Sequence, residues 1–454
     1  MSVSVGFISL GCAKNLVDSQ ILAGYLKAGK FTLAPAPEVA DIIVINTCAF
    51  INEAREEAAE NILAACEHKR QGRCLAVIVA GCMVARYRGQ MKRAFPEVDA
   101  FLGVDDLERI AEIAKSVAAG KRRGVVVSNR GLPRKLYNPT YAALRFTGEA
   151  FAYLKVAEGC DHRCAYCAIP LIRGRFRSRP VRDLLRETRG LLASGVKELN
   201  LIAQDVLRYG CDLSADGRSK LPDLMRRIDA MEGDFRFRLL YGYPSAVTDA
   251  VLEILATGRH ACRYLDIPIQ HSHPDILRAM NRPAAVAATA DLPERLRRAV
   301  PGIVLRTTCL VGFPGETDAH FNHLAEYIKA ARFDHLGVFV FSPEEGTAAY
   351  DLPDRPPAEV AESRRKKLME IQRKIVREKL AALRGTADTA LLLAAKGKEW
   401  IGRLSRQAPD VDGITRIRGV PETARPGDFI PLTLTGFRGY DLLADARKTG
   451  ANER

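Results

Sequence analysis

Three cysteines in the segment EGCDHRCAYCAIPLIRG, namely Cys160, Cys164 and Cys167, stand in a C-x-x-x-C-x-x-C array. Cysteine thiolates hold iron–sulfur clusters, and a cubane offers four iron positions. Three local ligands leave one iron open to a small chelating molecule. That is the requirement for binding the amino and carboxylate groups of S-adenosylmethionine and passing it an electron. Structural zinc asks for four ligands, commonly in paired C-x-x-C spacing, and no fourth local ligand accompanies this triad. Tyr166, just ahead of the last cysteine, is placed to cover the adenine of such a cofactor.

A second set is dispersed. Cys12, Cys48 and Cys82 each close an apolar run, in FISLGC, IVINTC and IVAGC. Parallel strands bring their C-terminal ends to one sheet edge, where open α/β folds bind ligands. Three thiols distant in sequence can meet there and hold a second cluster with an open iron. The other five of the eleven cysteines, Cys66, Cys74, Cys211, Cys262 and Cys309, share no pattern and read as structural.

The elements that must position these residues fall into three segments. Over 1–120, apolar runs alternate with helical spacing, which predicts an open α/β domain. Residues 121–149 are basic and rich in Gly and Pro, a linker signature. Over 150–384 six β/α units follow, too few to close an eight-stranded barrel. They predict a partial (β/α)6 barrel, with its chemistry at the strand C-termini. A long charged helix closes that segment. Residues 385–447 carry short strands broken by Gly and Pro, as in a small all-β, OB-like barrel, and 448–454 form a tail.

Other strand ends are candidate contacts for the cofactor. Gln204 and Asp205 end the second barrel strand, Gln270 and His271 the fourth, and Gly312–Glu316 make a turn after the fifth. Glycine permits close backbone approach, and a helix starting near Glu316 would favour an anionic group. With Arg306 of the fifth strand, the candidate set is Tyr166, Gln204, Asp205, Gln270, Arg306 and Gly312. His271 and His273 in QHSHP could be metal ligands, but because six thiolates already serve the clusters they read as pocket-lining or structural.

Composition sets outer bounds. The apolar fraction is 47%, charged residues are 27%, and no apolar run reaches the length of a membrane span. The N-terminus alternates like a strand and lacks a basic start, so a cytoplasmic protein is expected, with its cysteines reduced or metal-bound. The net charge of +14 suggests an anionic partner or a solvated basic face. Lys121 to Gly148 holds seven basic residues and no acidic one, and Arg173, Arg175, Arg177, Arg179 and Arg182 follow the cysteine array. A solvated loop explains such runs as readily as a nucleic acid does.

Taken together, the segments SLGCAKNLVDSQ (9–20), NTCAFINEAREEA (46–58), AEGCDHRCAYCAIPLIRGRFRSRP (157–180), YLDIPIQHSHPDILRAMNRP (264–283) and RTTCLVGFPGET (306–317) resemble the radical S-adenosylmethionine methylthiotransferases, over essentially the whole chain. The wording AKNLVDS and DHRC is most similar to the branch that modifies a ribosomal protein. Gln20 departs from the acidic residue expected there. The resemblance implies an N-terminal three-cysteine domain, a radical S-adenosylmethionine barrel and a TRAM barrel. It also implies methylthiolation of an aspartate β-carbon in small-subunit ribosomal protein twelve, with two [4Fe-4S] clusters and two S-adenosylmethionine molecules per product. One molecule would methylate sulfur at the cluster on Cys12, Cys48 and Cys82. The other would give a 5′-deoxyadenosyl radical at the cluster on Cys160, Cys164 and Cys167. A β C–H bond is too inert for acid–base chemistry, so the cofactor supplies the radical.

Residues 386–446 carry eight basic and eight acidic side chains. A barrel gripping RNA phosphates would carry a basic surplus, so this balance favours a protein substrate. The basic linker is then expected to help on nearby ribosomal RNA. The alternatives are a transfer-RNA methylthiotransferase acting on a modified adenosine and a non-catalytic iron–sulfur redox sensor that binds ribosomes. The electron donor and the sulfur donor leave no trace in the sequence.

Overall fold

The computed structural model describes residues 3–121, 124–127, 133–137, 145–146, 148 and 150–447. Its N-terminal sheet has six parallel strands: β1 (Ser4–Ser9), β2 (Thr32–Leu33), β3 (Ile42–Thr47), β4 (Ala76–Gly81), β5 (Ala100–Leu102) and β6 (Val125–Val127). Their order is β2-β1-β3-β4-β5-β6. β3 and β4 are buried at every position, as strands covered on both faces must be. The chain leaves β1 toward one edge and returns to the other side of it at β3, which puts a topological switch point between β1 and β3. Val125–Val127 lie inside the stretch expected to be linker. Three consecutive valines add the edge strand because β-branched side chains suit a half-buried pleat. The linker arginines Arg122, Arg123 and Arg130, and the tail 448–454, lie outside the described residues.

The second sheet has six parallel strands in strict succession: β7 (Phe151–Lys155), β10 (Glu198–Ile202), β11 (Arg236–Leu240), β12 (Ala261–Asp266), β13 (Val304–Val311) and β14 (His335–Val340). A two-stranded ribbon, β8 (Ala157–Glu158) with β9 (Arg177–Ser178), flanks the cysteine loop. Along each strand alternate residues serve different cores. Leu199, Leu201, Phe237 and Leu239 pack under the outer helices. Ile202, Leu240, Tyr264 and Val304 instead share a core with Val17, Ile21 and Leu22 of the helix Ala13–Ala28. The N-terminal domain thus fills the side that an incomplete barrel leaves open.

The helix Ala358–Ala382 leads to five strands, β15 (Ala387–Lys396), β16 (Glu399–Leu404), β17 (Thr415–Arg418), β18 (Phe429–Arg438) and β19 (Asp441–Ala446), closed in the order β15-β16-β17-β19-β18. The loop between β16 and β17 enters the β7–β14 barrel from the strand N-terminal side. There Asp410 accepts from the Tyr153 hydroxyl at 2.6 Å and Asp412 from the Tyr264 hydroxyl at 2.8 Å. Among the described residues no helix is long and apolar enough to cross a membrane.

Candidate cluster and cofactor site

The dispersed cysteines arrive where the sheet order predicts. Cys12 follows β1, Cys48 follows β3, and Cys82 opens a short helix directly after β4. Two glycines let them approach. A Cβ on Gly11 (φ 85°) would stand 2.7 Å from the Cys48 Cβ, and one on Gly81 (φ 97°) 2.2 Å from the Asn46 Oδ1. Buried Asn15 donates to the Leu10 carbonyl at 2.7 Å, and Asn46 donates to the Asn15 carbonyl at 2.8 Å, fastening the strand ends together. Burial pushes the Cys82 thiol up to about 12 and raises Cys48 as well. Burial also opposes ionisation of Cys12, but Lys14 and Arg173 outweigh it and hold that thiol below its ordinary range. Cys12 is the most exposed of the three.

The second triad sits in the loop between β8 and β9. Gly159 (φ 76°) leads into it, with no room for a Cβ, which would fall 2.1 Å from the Arg175 carbonyl oxygen. His162, inside the array, bonds Asp205 at 2.7 Å and stacks on Tyr243 with ring centres 4.0 Å apart. Arg282 donates to the Cys164 sulfur at 3.5 Å, to the Tyr166 hydroxyl at 3.4 Å and to the Pro268 carbonyl at 2.9 Å. Burial pushes Cys160 up to about 12 and Cys167 higher still. Left alone, these thiols stay protonated; a metal centre removes that penalty, since a coordinated thiol is deprotonated outright.

The spacing of the donors discriminates between centres. In neither triad do all three sulfurs lie within 4.8 Å of one another. One tetrahedral zinc, with bonds of about 2.3 Å, would draw its sulfurs to about 3.8 Å. A cubane spreads its ligands over separate corners, so three thiolates held wider apart fit a cluster with an open iron.

The two triads are mechanically joined. The helix Ile169–Arg173 starts two residues after Cys167, and its Ile172 packs in the same core as Cys82, Met83 and Val84. Its last residue, Arg173, is 2% exposed. It donates to the Cys82 sulfur at 3.2 Å, to the Asn15 Oδ1 at 3.3 Å, to Asp18 at 2.8 Å and to Glu158 at 2.9 Å. Lys155 binds the same two carboxylates. Two buried cations of the barrel domain, Lys155 and Arg173, thus share their own domain's Glu158 and, across the boundary, Asp18 of the N-terminal domain. The arginine series that reads as a solvated or RNA-facing run therefore divides: Arg173 and Arg179 are buried, whereas the side chains of Arg175 and Arg182 are 84% exposed.

The candidate cofactor contacts also separate. Tyr166, Gln204, Asp205 and Gln270 gather at the strand C-termini. Gln204 donates to Glu158 at 2.9 Å, and Asp205 accepts from the Tyr243 amide at 3.2 Å. Gln270 holds φ 71° at the end of its strand segment. The Gly312 amide donates to the buried Glu316 carboxylate, and a Cβ there would meet Ala361 at 2.5 Å, so packing already requires this glycine. The helix after that turn begins at Asp318, with Glu316 held by Arg364 at 3.1 Å. Arg306 is not brought to this end. It lies in the first half of β13 and donates to Asp412 at 2.7 Å. Arg282 and His162 complete the loop's surroundings; His162 belongs to the wording DHRC and Arg282 to the segment 264–283, but neither position announced its role in the sequence. Gln20 is buried on the helix Ala13–Ala28.

An open sheet with three thiols on its switch edge, a six-stranded parallel barrel carrying a C-x-x-x-C-x-x-C loop, and a closed five-stranded barrel define a radical S-adenosylmethionine enzyme with an appended TRAM domain. Family models agree segment by segment: Uncharacterized protein family UPF0004 matches residues 4–103, the Radical SAM superfamily 154–328 and the TRAM domain 387–446. The solved structure of the radical S-adenosylmethionine methyltransferase TsrM from Kitasatospora setae shares the fold, with a TM-score of 0.56 at 16% identity over 77% of this chain and 74% of that one. Among curated proteins, the chain is 41% identical to ribosomal protein uS12 methylthiotransferase RimO of Symbiobacterium thermophilum, over 98% of this chain and 91% of that one. It is 41% identical to the protein of the same name from Geotalea uraniireducens (97% and 98%) and 40% identical to that of Geobacter sulfurreducens (97% and 98%). The chain belongs to the RimO family of radical S-adenosylmethionine methylthiotransferases.

Proposed function

We propose that this chain methylthiolates the β-carbon of an aspartate in ribosomal protein uS12, with Cys160, Cys164 and Cys167 holding one [4Fe-4S] cluster and Cys12, Cys48 and Cys82 a second. The observation that carries the reading is the joint at Arg173, which fixes one three-thiol set against the other inside a single buried network. When bound, the clusters and S-adenosylmethionine supply one-electron chemistry, a carbon-centred radical and a methylated sulfur. The chain's own residues hold the parts in place. Arg282, His162 and Asp205 brace the barrel loop, and Tyr166 covers the cofactor's adenine. Gln204, Gln270 and Gly312 are further contacts proposed for the same cofactor. Lys14, whose ammonium lies 3.3 Å from the centre of the Tyr241 ring, lines the space next to Cys12. The reaction is placed in the cytoplasm, where ribosomes assemble.

The assignment of roles has a direct test in anaerobically reconstituted protein supplied with reductant, S-adenosylmethionine and sulfide. Cys167→Ala is expected to lose 5′-deoxyadenosine formation altogether. Cys48→Ala is expected to keep it while yielding no methylthiolated uS12 by mass spectrometry. Wild-type product from Cys48→Ala would overturn the role of the N-terminal triad, and modification of transfer RNA instead of uS12 would overturn the substrate.

The charge balance of residues 386–446 supports a protein-facing TRAM barrel. Contact with ribosomal RNA falls to the basic linker. Charge reversal at Arg122, Arg123 and Arg134 is expected to lower activity on assembled subunits several-fold more than on a short uS12 peptide. Equal losses on both substrates would remove the RNA contact.

A further inference from the structure

Four of the chain's eight histidines, His271, His273, His320 and His323, lie in two short segments, QHSHPD after β12 and HFNH in the helix Asp318–Ala331. Neither cysteine triad uses them. In the fold the segments meet on the rim of the barrel: the rings of His273 and His320 are 4.4 Å apart, and those of His273 and His323 are 5.0 Å apart. His320 and His323 are i and i+3 on one helix, hence on one face. Donor atoms of His273, Asp275 and His320 all lie within 4.8 Å of one another, the only such set among the described residues. We infer that His273, Asp275 and His320, with His323 beside them, form a site for a zinc-class divalent cation that clamps the loop after β12 to the helix after β13.

The donors match that chemistry. Imidazole and carboxylate together suit borderline divalent ions, which take nitrogen at about 2.0–2.1 Å and need four positions filled by protein or water. Asp275 gives one carboxylate oxygen to Arg278 at 2.7 Å, leaving the other free, 3.9 Å from the His273 Nδ1. That His273 nitrogen otherwise caps the short helix, accepting from the Asp275 amide at 3.2 Å. The His320 Nδ1 lies 3.2 Å from the Gly315 carbonyl oxygen. The same nitrogen accepts from the Thr317 amide at 3.2 Å in the capping box of that helix, so a bound ion would take the place of this amide on the ring. The His323 Nδ1 pairs with the Ser272 hydroxyl at 2.9 Å, which holds this ring beside the other two.

The frame beneath the cluster is rigid. Fully buried His271 accepts the His273 amide at 2.9 Å and faces Glu316 at 3.4 Å; Glu316 in turn holds the turn at Gly312 and is held by Arg364. The backbone of both histidine segments is therefore set by buried polar contacts before any ion arrives, as a preorganised site requires. Arg278 is the cation at the cluster, bonded to one oxygen of Asp275, whereas Asp318 at the start of the histidine helix is paired with Arg364.

The test uses the full chain with both clusters loaded, so that the six cysteine ligands are occupied. Equilibrium dialysis against zinc chloride, read by elemental analysis, is expected to give one zinc per chain beyond background and a rise in melting temperature. The variant His273→Ala/His320→Ala should lose that zinc and the thermal shift while keeping wild-type iron content and cluster absorbance. Asp275→Asn, on an exposed side chain, should weaken zinc binding at least tenfold. Equal zinc uptake by wild type and the double variant, or uptake abolished only by blocking thiols, would overturn the site.

Discussion

Arg173→Met is expected to destabilise the protein by about 3–5 kcal/mol, the usual cost of leaving a buried charge without its partner, and to abolish methylthiolation with it. Asp18 and Glu158 would face each other across the domain boundary with only Lys155 between them. The Cys82 sulfur would lose its guanidinium donor, 3.2 Å away in the wild type. Arg173→Lys keeps the charge but cannot reach Asp18, Glu158, Asn15 and Cys82 at once, because an ammonium lacks the planar fork of the guanidinium. It should recover part of the stability and little of the activity. Adding Asp18→Asn to Arg173→Met removes one of the stranded carboxylates and should restore part of the lost stability. Urea unfolding and mass spectrometry of uS12 read both quantities; wild-type stability in Arg173→Met would dismiss the network as a structural joint.

The second large effect is at the other end of the barrel. Glu198 is fully buried, with Arg236 and Arg403 each at 2.6 Å and Arg238 at 3.5 Å. Arg403 belongs to β16, so this carboxylate anchors the TRAM barrel. Burial alone would raise the Glu198 carboxyl, but Arg403, Arg236 and Arg238 outweigh it and hold it well below the usual carboxylate range. The same burial pulls the Arg403 guanidinium down, so the anchor depends on one anion with several cations around it. Glu198→Gln is expected to cost about 3–5 kcal/mol at pH 7. Because the folded-state value is depressed, the wild type's advantage is present above the unfolded value of about 4.3 and shrinks as pH falls below it. Thermal melts of both proteins between pH 7 and pH 3 check the sign: the two curves should converge toward acid. A gap that stays constant across that range would show that the charge of Glu198 is not what holds the barrel.

The parts of this molecule legible in its sequence are those written locally. Apolar runs such as IIVINT and AVIVAG announce buried parallel strands, and a cysteine just beyond each run inherits the sheet edge as its address. The six barrel strands fall where their hydrophobic runs place them for the same reason. What stayed hidden was decided at long range. Arg173 looks no different from Arg175 in a run of arginines, and only the arrival of Asp18, 155 positions earlier, buries it. Arg306 shows that it sits on a strand, but the strand pattern is silent on which end of the barrel its side chain serves; Asp412, 106 positions later, settles that. Val125–Val127 were masked by their basic flanks. His273 could be read as a possible metal ligand, but its neighbour His320, 47 positions later, could not.

The five-residue helix after Cys167 acts as a ruler. In an α-helix each inserted residue turns everything beyond it by about 100°, so one added or deleted position between Cys167 and Arg173 would swing the guanidinium off the Cys82 sulfur, however well every other residue were kept. The joint therefore fixes the interval of six between these two residues, and a homologous sequence in which it differs is expected to have lost the coupling between its two halves.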